Sequence, residues 1–95
     1  MGKLNYFAVT GAIALGAATV AFAGEYNSID ALSLVKGAPK KVDCSVSAEH
    51  EGKTYCFAHE AAKAEFMKDA EGNVAKAEDA YQPCRDDPSS YAWCD

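Results

Sequence analysis

The sequence lacks the short motifs that mark the common catalytic and nucleotide-binding sites. It contains no Gly-rich phosphate loop, no serine nucleophile elbow, no Cys-x-x-Cys pair and no haem attachment motif. These absences argue against a P-loop nucleotidase, a serine hydrolase, a thioredoxin-type enzyme and a c-type cytochrome. We therefore expect a protein that is not an enzyme.

Basic residues are scarce relative to acidic ones. The chain has 9 Lys and Arg against 14 Asp and Glu, a formal net charge of −5. Lys3 is the one charged residue among residues 1–23, so the rest of the chain has 8 cations against 14 acids and a formal net charge of −6. Such a chain is repelled by nucleic-acid phosphates and by anionic membrane surfaces. The composition therefore argues against a nucleic-acid partner and favours cations.

The first 23 residues differ in character from the rest and have the pattern of an export signal. Lys3 provides a positive start, residues 6–20 form an apolar stretch, and residues 21–23 form a small-x-small cleavage site. The stretch is rich in Ala and Gly and is only weakly hydrophobic for a membrane-spanning helix. We expect cleavage before Gly24 and a periplasmic or secreted mature chain. Retention as a membrane anchor is the alternative.

All the cysteines lie downstream of this segment, at positions 44, 56, 84 and 94. Export places their thiols in an oxidising compartment, where they become disulfides or metal ligands. The 72 residues left from 95 after removal of residues 1–23 form one small domain, a size that often depends on disulfides or a metal for stability. A local Cys84–Cys94 bridge and bridges from these residues to Cys44 and Cys56 both remain open, because four cysteines allow three connectivities.

Residue patterns divide the chain into a signal peptide at 1–23, a lead segment at 24–40, and a domain with a turn-rich tail at 41–95. In the lead segment Ser28 is the predicted N-cap of a short helix. Residues 42–57 alternate like a β-hairpin with its turn at Glu51-Gly52.

Strong helix formers at residues 59–69 predict the main helix, which Gly72 is expected to end. A second, short helix is predicted at residues 73–81, and turn residues dominate from Pro83 onward. The predicted fold is α+β: a small antiparallel β-hairpin packed against one main helix and stapled by disulfides. We place Phe57 and Phe66 in its core.

Four residues around the predicted strand–helix junction carry a family resemblance. Tyr55 and Phe57 lie on the short strand, and Lys63 and Phe66 lie on the helix that follows. This arrangement resembles the central motif of the YHS domain family, and the specific part of the resemblance covers residues 44–70. It implies that residues 41–95 form a small exported YHS-like domain.

The resemblance also relates the chain to TRASH-type metal-binding modules. Such modules place one cysteine before the hairpin and two more around the strand–helix junction. Cys44 matches the first position, whereas Ala58 and Ala62 occupy the other two. The family's three-cysteine site therefore does not carry over to this chain.

The candidate metal ligands are two cysteines and one histidine near this junction: Cys44, Cys56 and His59. Thiolate and imidazole ligands suit zinc or copper. A two-residue turn pairs His50 with Lys53 and, extended along the strands, places Cys44 opposite His59 with Cys56 on the other face. The alternative is that His59 caps the helix while Cys44 forms a disulfide.

We therefore expect a non-catalytic, exported, YHS-like domain that binds a transition metal ion, zinc or copper, or a protein partner. Two alternatives come from other classes. One is a disulfide-stabilised structural or interaction module without metal, and the other is a thiol redox protein. No membrane partner is expected after removal of the signal peptide.

Overall fold

The structure, a computed structural model, describes residues 23–95. Its elements, in chain order, are α1 (Ala31–Val35), β1 (Val46–His50), β2 (Lys53–Phe57), α2 (Glu60–Met67), α3 (Ala70–Asp86) and a 3₁₀ turn (Ala92–Cys94). The strands form a two-stranded antiparallel sheet, helices pack beside it, and two disulfides cross-link the chain. The predicted α+β class is confirmed. The expected signal peptide lies outside the described residues, apart from Ala23.

The hairpin has the predicted turn and register. Glu51 and Gly52 both have positive φ, 51° and 79°, which is the combination that a two-residue turn between twisted strands requires. His50 pairs with Lys53, and Val46 pairs with Phe57. The first strand starts at Val46, however, so its predicted start at residue 42 is wrong.

Helix α1 begins at a different cap from the one predicted. The carboxylate of Asp30 accepts a hydrogen bond from the backbone N–H of Leu32 at 2.9 Å. Ser28 lies two residues earlier with φ at 65°, outside the helix. Asp and Ser are both good N-caps, and Asp30 is the one whose carboxylate lies within hydrogen-bond distance of the first helical turn; its backbone also forms a bridge with Cys56.

The junction between α2 and α3 corrects the predicted helix stop. Helix α2 ends at Met67, and Asp69 caps α3 by accepting from the N–H of Gly72 at 3.3 Å. Gly72 therefore lies in the first turn of α3. The side-chain amide of Asn73 donates to the carbonyl oxygen of Phe66 at 2.9 Å, and the backbone N–H of Asp69 donates to the same oxygen at 3.4 Å, so residues at the start of α3 satisfy the end of α2.

Helix α3 is longer than the predicted second helix, because it spans 17 residues and includes Pro83. A proline inside a helix removes one hydrogen bond and usually ends the helix. Here Tyr81 and Cys84 on either side of it are buried, so packing holds the last turn in place. Within residues 23–95, no helix is long and apolar enough to cross a bilayer.

The core lies between the hairpin and the helices, and it includes the lead segment. Phe57 and Phe66 are 1% and 0% exposed and meet edge to face at 5.2 Å between ring centroids, so their predicted core positions are confirmed. Tyr26 is also buried and contacts Tyr55 and Tyr81. Residues 24–40 therefore contribute to the same core as the rest of the chain.

Candidate functional site

The two cysteines proposed as metal ligands are bonded to each other. Cys44 and Cys56 form a disulfide with their Cα atoms 4.8 Å apart. The prediction that they point to opposite faces of the hairpin is wrong. Its error is local, because the register argument extends the strand pairing two residues beyond Val46, where β1 begins.

A tight turn explains why Cys44 reaches Cys56. Cys44 has φ at 62°, which bends the chain out of the strand direction. The carboxylate of Asp43 accepts from the N–H and the hydroxyl of Ser45 at 3.0 and 2.8 Å, and these bonds lower the pKa of Asp43. Side chains that bond to nearby backbone in this way stabilise turns. The turn therefore brings the Cys44 sulfur to the strand edge.

His59 lies at the start of α2 with its side chain exposed to solvent. Its Nδ1 accepts from the N–H of Ala62 at 3.1 Å, so His59 is the N-cap of the helix. The other ring nitrogen, Nε2, is the atom left for an external ligand. In the oxidised structure His59 is thus a helix cap, and Cys44 and Cys56 have no free thiolate.

The described residues bring no further ligands to this position. Among residues 23–95, no group of three or more His, Cys, Asp or Glu side chains is placed to hold a metal ion. His50, the second histidine, lies beside the hairpin turn with its Nε2 3.7 Å from a carboxylate oxygen of Glu51.

The Cys44–Cys56 bridge packs directly against the start of the lead segment. The Cys56 sulfur lies 3.7 Å from the carbonyl oxygen of Ala23. A Cβ atom added to Gly24 would lie 2.8 Å from that sulfur and 3.1 Å from the Thr54 oxygen, and Gly24 has φ at 69°. Only glycine accommodates both this approach and this backbone conformation. The start of the lead segment, at the expected cleavage junction, therefore packs closely against the hairpin.

The second disulfide, Cys84–Cys94, closes a loop at the opposite end of the described chain. The local bridge was one of the connectivities that the sequence left open. We call residues 84–95 the C-terminal loop. Both of its cysteines are buried, whereas most residues between them are exposed. The bridge therefore anchors a surface segment to the core.

Tyr91 and Trp93 form a stacked aromatic pair on the C-terminal loop. Their ring centroids are 5.4 Å apart and their planes differ by 12°. Trp93 packs against the core, whereas Tyr91 is 52% exposed and is the single exposed large hydrophobic side chain among residues 23–95. Both side chains are large and aromatic, but Trp93 alone of the two packs against the core.

Arg85 joins the C-terminal loop to the lead segment. Its Nη2 lies 3.1 Å from one carboxylate oxygen of Glu78, its Nε donates to the other, and its Nη2 lies 3.7 Å from Glu25. Its guanidinium also lies over the rings of Tyr26 and Tyr81 at 5.8 and 5.0 Å. The hydrogen bond to Glu78 raises the pKa of Arg85, and burial raises the pKa of Tyr26. Arg85 therefore makes ion pairs and aromatic contacts that stabilise the fold.

A shallow cleft of about 290 Å³ lies between α1 and the beginning of α2. Its lining mixes apolar and charged side chains, and Lys36 and Glu65 form an ion pair at 3.1 Å on its rim. Enclosed small-molecule sites usually have volumes of roughly 300–1,000 Å³ and bury most of the ligand. The volume of the cleft is just below this range, and the cleft opens to solvent.

Comparison with known proteins identifies no relative of this chain. No family model matches the chain, and no curated protein or solved structure shows a match. The YHS resemblance therefore stays an interpretation of residues 44–70.

Proposed function

We propose that this chain is an exported, non-catalytic binding domain that recognises a protein partner in the periplasm or outside the cell. The observation that carries the proposal is the state of its cysteines: within residues 23–95, which hold every cysteine of the chain, no thiol is free. Structural disulfides persist in oxidising compartments. This state agrees with the export signal inferred at residues 1–23.

The disulfides also separate this proposal from its alternatives. Thiolate, not disulfide sulfur, is the nucleophile and the metal ligand. Zinc or copper binding by Cys44, Cys56 and His59 therefore requires reduction of the Cys44–Cys56 bridge. A thiol redox function requires that one bridge exchanges readily with external thiols. Cys84, Cys94 and Cys56 are all buried, which disfavours such exchange.

The surface supports a protein partner better than a small-molecule ligand. The cleft between α1 and α2 is shallow, whereas Tyr91 presents an exposed aromatic side chain on a disulfide-closed loop. Tyrosine and tryptophan are enriched at the energetic centres of protein interfaces. A rigid small domain with such a loop is suited to binding a macromolecular surface.

The proposal is tested by mass spectrometry of protein purified from the exported fraction without reductant. We expect a chain that starts at Gly24, four cysteines that resist alkylation until they are reduced, and no bound metal. Native protein that carries zinc or copper on alkylatable thiols would instead establish the metal-binding function. Exchange of either bridge with a glutathione buffer within minutes would establish the redox function.

A second experiment, with a matched control variant, tests whether the predicted residues bind a metal ion. Reduced protein is titrated with Zn²⁺ and Cu(I) and compared with the His59→Ala and Cys44→Ser variants. His50→Ala is the control, because His50 is the second histidine and lies at the far end of the hairpin. Tight binding that both ligand variants lose and the control retains would assign the metal site to Cys44 and His59.

A further inference from the structure

The C-terminal loop presents its aromatic pair in a fixed orientation. One face of Tyr91 stacks on Trp93, which is itself packed against the core, and about half of the Tyr91 side chain is exposed. An exposed tyrosine supported from behind loses little conformational freedom when it binds a partner. The pair therefore has the form of an aromatic platform.

Two hydrogen bonds, one from the middle of the loop and one near its end, hold this platform. The Ser90 hydroxyl donates to the Pro83 carbonyl oxygen at 3.1 Å, in the last turn of α3. The Asn27 side-chain amide donates to the Cys94 carbonyl oxygen at 2.9 Å, which ties the loop to the lead segment. Together with the Cys84–Cys94 bridge, these contacts fix the loop before any partner binds.

The segment that carries the platform has a net negative charge. Asp86, Asp87 and Asp95 are exposed on the loop, and its one cation, Arg85, is engaged by Glu78 and Glu25. The carboxylate of Asp87 accepts from the N–H and hydroxyl of Ser89 at 3.0 and 2.8 Å, which lowers the pKa of Asp87 and keeps it ionised. An exposed aromatic ring on an acidic segment favours a cationic group, because the ring quadrupole and the net negative charge of the segment act in the same direction.

We propose that the C-terminal loop is the docking surface for a cationic, Lys- or Arg-containing segment of a protein partner, with a basic side chain on the exposed face of Tyr91. This inference rests on the proposed function and names the surface and the partner chemistry. Charge complementarity selects this occupant over an anionic ligand, since phosphate groups would be repelled by Asp86, Asp87 and Asp95.

The single tryptophan of the chain makes the site directly observable. Trp93 is the only Trp, and it forms half of the platform. Oxidised protein is titrated with unlabelled hexa-arginine while Trp93 fluorescence is recorded, and affinity is measured separately by the anisotropy of a fluorescein-labelled hexa-arginine peptide at about 0.15 M salt. We expect one saturable change in Trp93 emission with the same affinity as the anisotropy signal, and no binding of labelled hexa-glutamate.

Four variants distinguish binding at the aromatic platform from general attraction of the peptide to an acidic protein. Tyr91→Ala should weaken hexa-arginine binding by about ten-fold, whereas Tyr91→Phe keeps the ring and should stay within about two-fold of the parent. Asp87→Asn keeps the acceptor oxygen of the turn and removes its charge, and should weaken binding by about three-fold. Asp79→Asn removes the same charge from the exposed surface of α3 and should change affinity by less than Asp87→Asn does.

Three results would overturn the inference. The first is parent-like affinity of Tyr91→Ala, and the second is an equal loss in the Asp79 and Asp87 variants, which would show delocalised attraction only. The third is a Trp93 emission shift with phosphatidylcholine vesicles and none with the peptide, which would assign the loop to a membrane surface. Failure here would leave the disulfide and metal results for the proposed function unchanged, so the two proposals can fail separately.

Discussion

The two disulfides close loops of similar length but hold different kinds of structure. Their cysteines are 12 and 10 residues apart, so each bridge restricts the unfolded chain to a comparable degree, about 3 kcal/mol in a chain-entropy estimate. The Cys44–Cys56 bridge lies against the lead segment and beside a buried strand. The Cys84–Cys94 bridge instead presents a mostly exposed loop.

This difference shows that a disulfide does not by itself indicate the role of the residues it closes. Around Cys56, the neighbouring side chains Tyr55 and Phe57 are buried in the core. Around Cys94, Tyr91 projects into solvent on a loop that two hydrogen bonds hold in place. The first region stabilises the fold, and the second offers a rigid surface. The following predictions test this contrast.

The largest difference is expected between the two aromatic environments. Phe66→Ala removes a side chain that is 0% exposed and should destabilise the protein by about 3–5 kcal/mol, which leaves little net stability in a domain of this size. Tyr91→Ala should cost about 0.5 kcal/mol or less, because Tyr91 is half exposed. Urea unfolding followed by circular dichroism measures both. Equal midpoints for the two variants would show that the contrast between the regions is wrong.

The second-largest difference is expected in the stability that is lost when each disulfide is removed. Replacing Cys44 and Cys56 by alanine removes the bridge that packs against Ala23 and Gly24, so the hairpin and the lead segment both lose support, and should cost about 3–5 kcal/mol. Replacing Cys84 and Cys94 should cost about 2–3 kcal/mol and leave the hairpin formed.

Thermal unfolding together with hydrogen exchange of the hairpin amides separates the two double variants. Hairpin amides that lose protection only in the Cys44/Cys56 variant would support the contrast. Equal loss in both variants would contradict it and show that the C-terminal loop supports the whole fold.

The contact between the two regions should contribute less than either disulfide. Arg85→Ala removes the ion pair with Glu78 and the stacking on Tyr26 and Tyr81, and should destabilise the protein by about 1 kcal/mol, because the guanidinium is partly exposed. Lys36→Ala is the matched control, since it removes a more exposed ion pair with Glu65 and should cost about 0.5 kcal/mol or less. A larger effect at Lys36 than at Arg85 would refute this ranking.

The smallest predicted effect concerns two matching turns, one in each region. Asp43 and Asp87 each accept hydrogen bonds from the serine two residues later, and these bonds lower both carboxyl pKa values below the ordinary 3.8. A lowered folded pKa favours the native state above the unfolded pKa, and this contribution is lost as the pH falls through the folded value. We therefore expect both turns to weaken only below about pH 4.

Carbon-13 NMR titration of the carboxyl groups measures these two pKa values. Ser89→Ala should raise the pKa of Asp87 toward its ordinary value and leave Asp43 unchanged, because Asp43 bonds to Ser45. A rise at both aspartates would show that long-range charge, rather than the local turns, sets their titration.

Local patterns were sufficient for the hairpin and for the centre of the core. Gly52 marks the turn between two alternating segments, and a two-residue turn leaves one register for the strands that it joins. Phe57 and Phe66 follow from alternation along a strand and from helical spacing. These features depend on neighbours within about a dozen residues.

Features that involve distant residues were not predictable in the same way. The sequence alone could not choose the disulfide pairing, because three connectivities are compatible with four cysteines. The burial of Tyr26 depends on Tyr55 and Tyr81, which are far along the chain. Tyr26 is a large aromatic residue just after the expected cleavage site, which could have indicated a core position. Nothing in the neighbouring sequence, however, indicated that Tyr55 and Tyr81 would pack against it.

The amino-acid sequence by itself determined the hairpin turn, the register of its strands, the presence of a helix after the hairpin and the central phenylalanines, since short-range sterics, turn chemistry and side-chain periodicity govern these, but it misplaced the helix boundaries. The tertiary structure alone decided that Cys44 bonds to Cys56, whereas the His59 cap of α2 is a local contact with Ala62 that the sequence already offered as an alternative to metal binding. The tertiary structure also decided that Tyr91 remains exposed. The physical reason is that the disulfide pairing and the exposure of Tyr91 depend on which atoms approach within bonding or contact distance when the whole chain is packed, a condition that no local pattern contains.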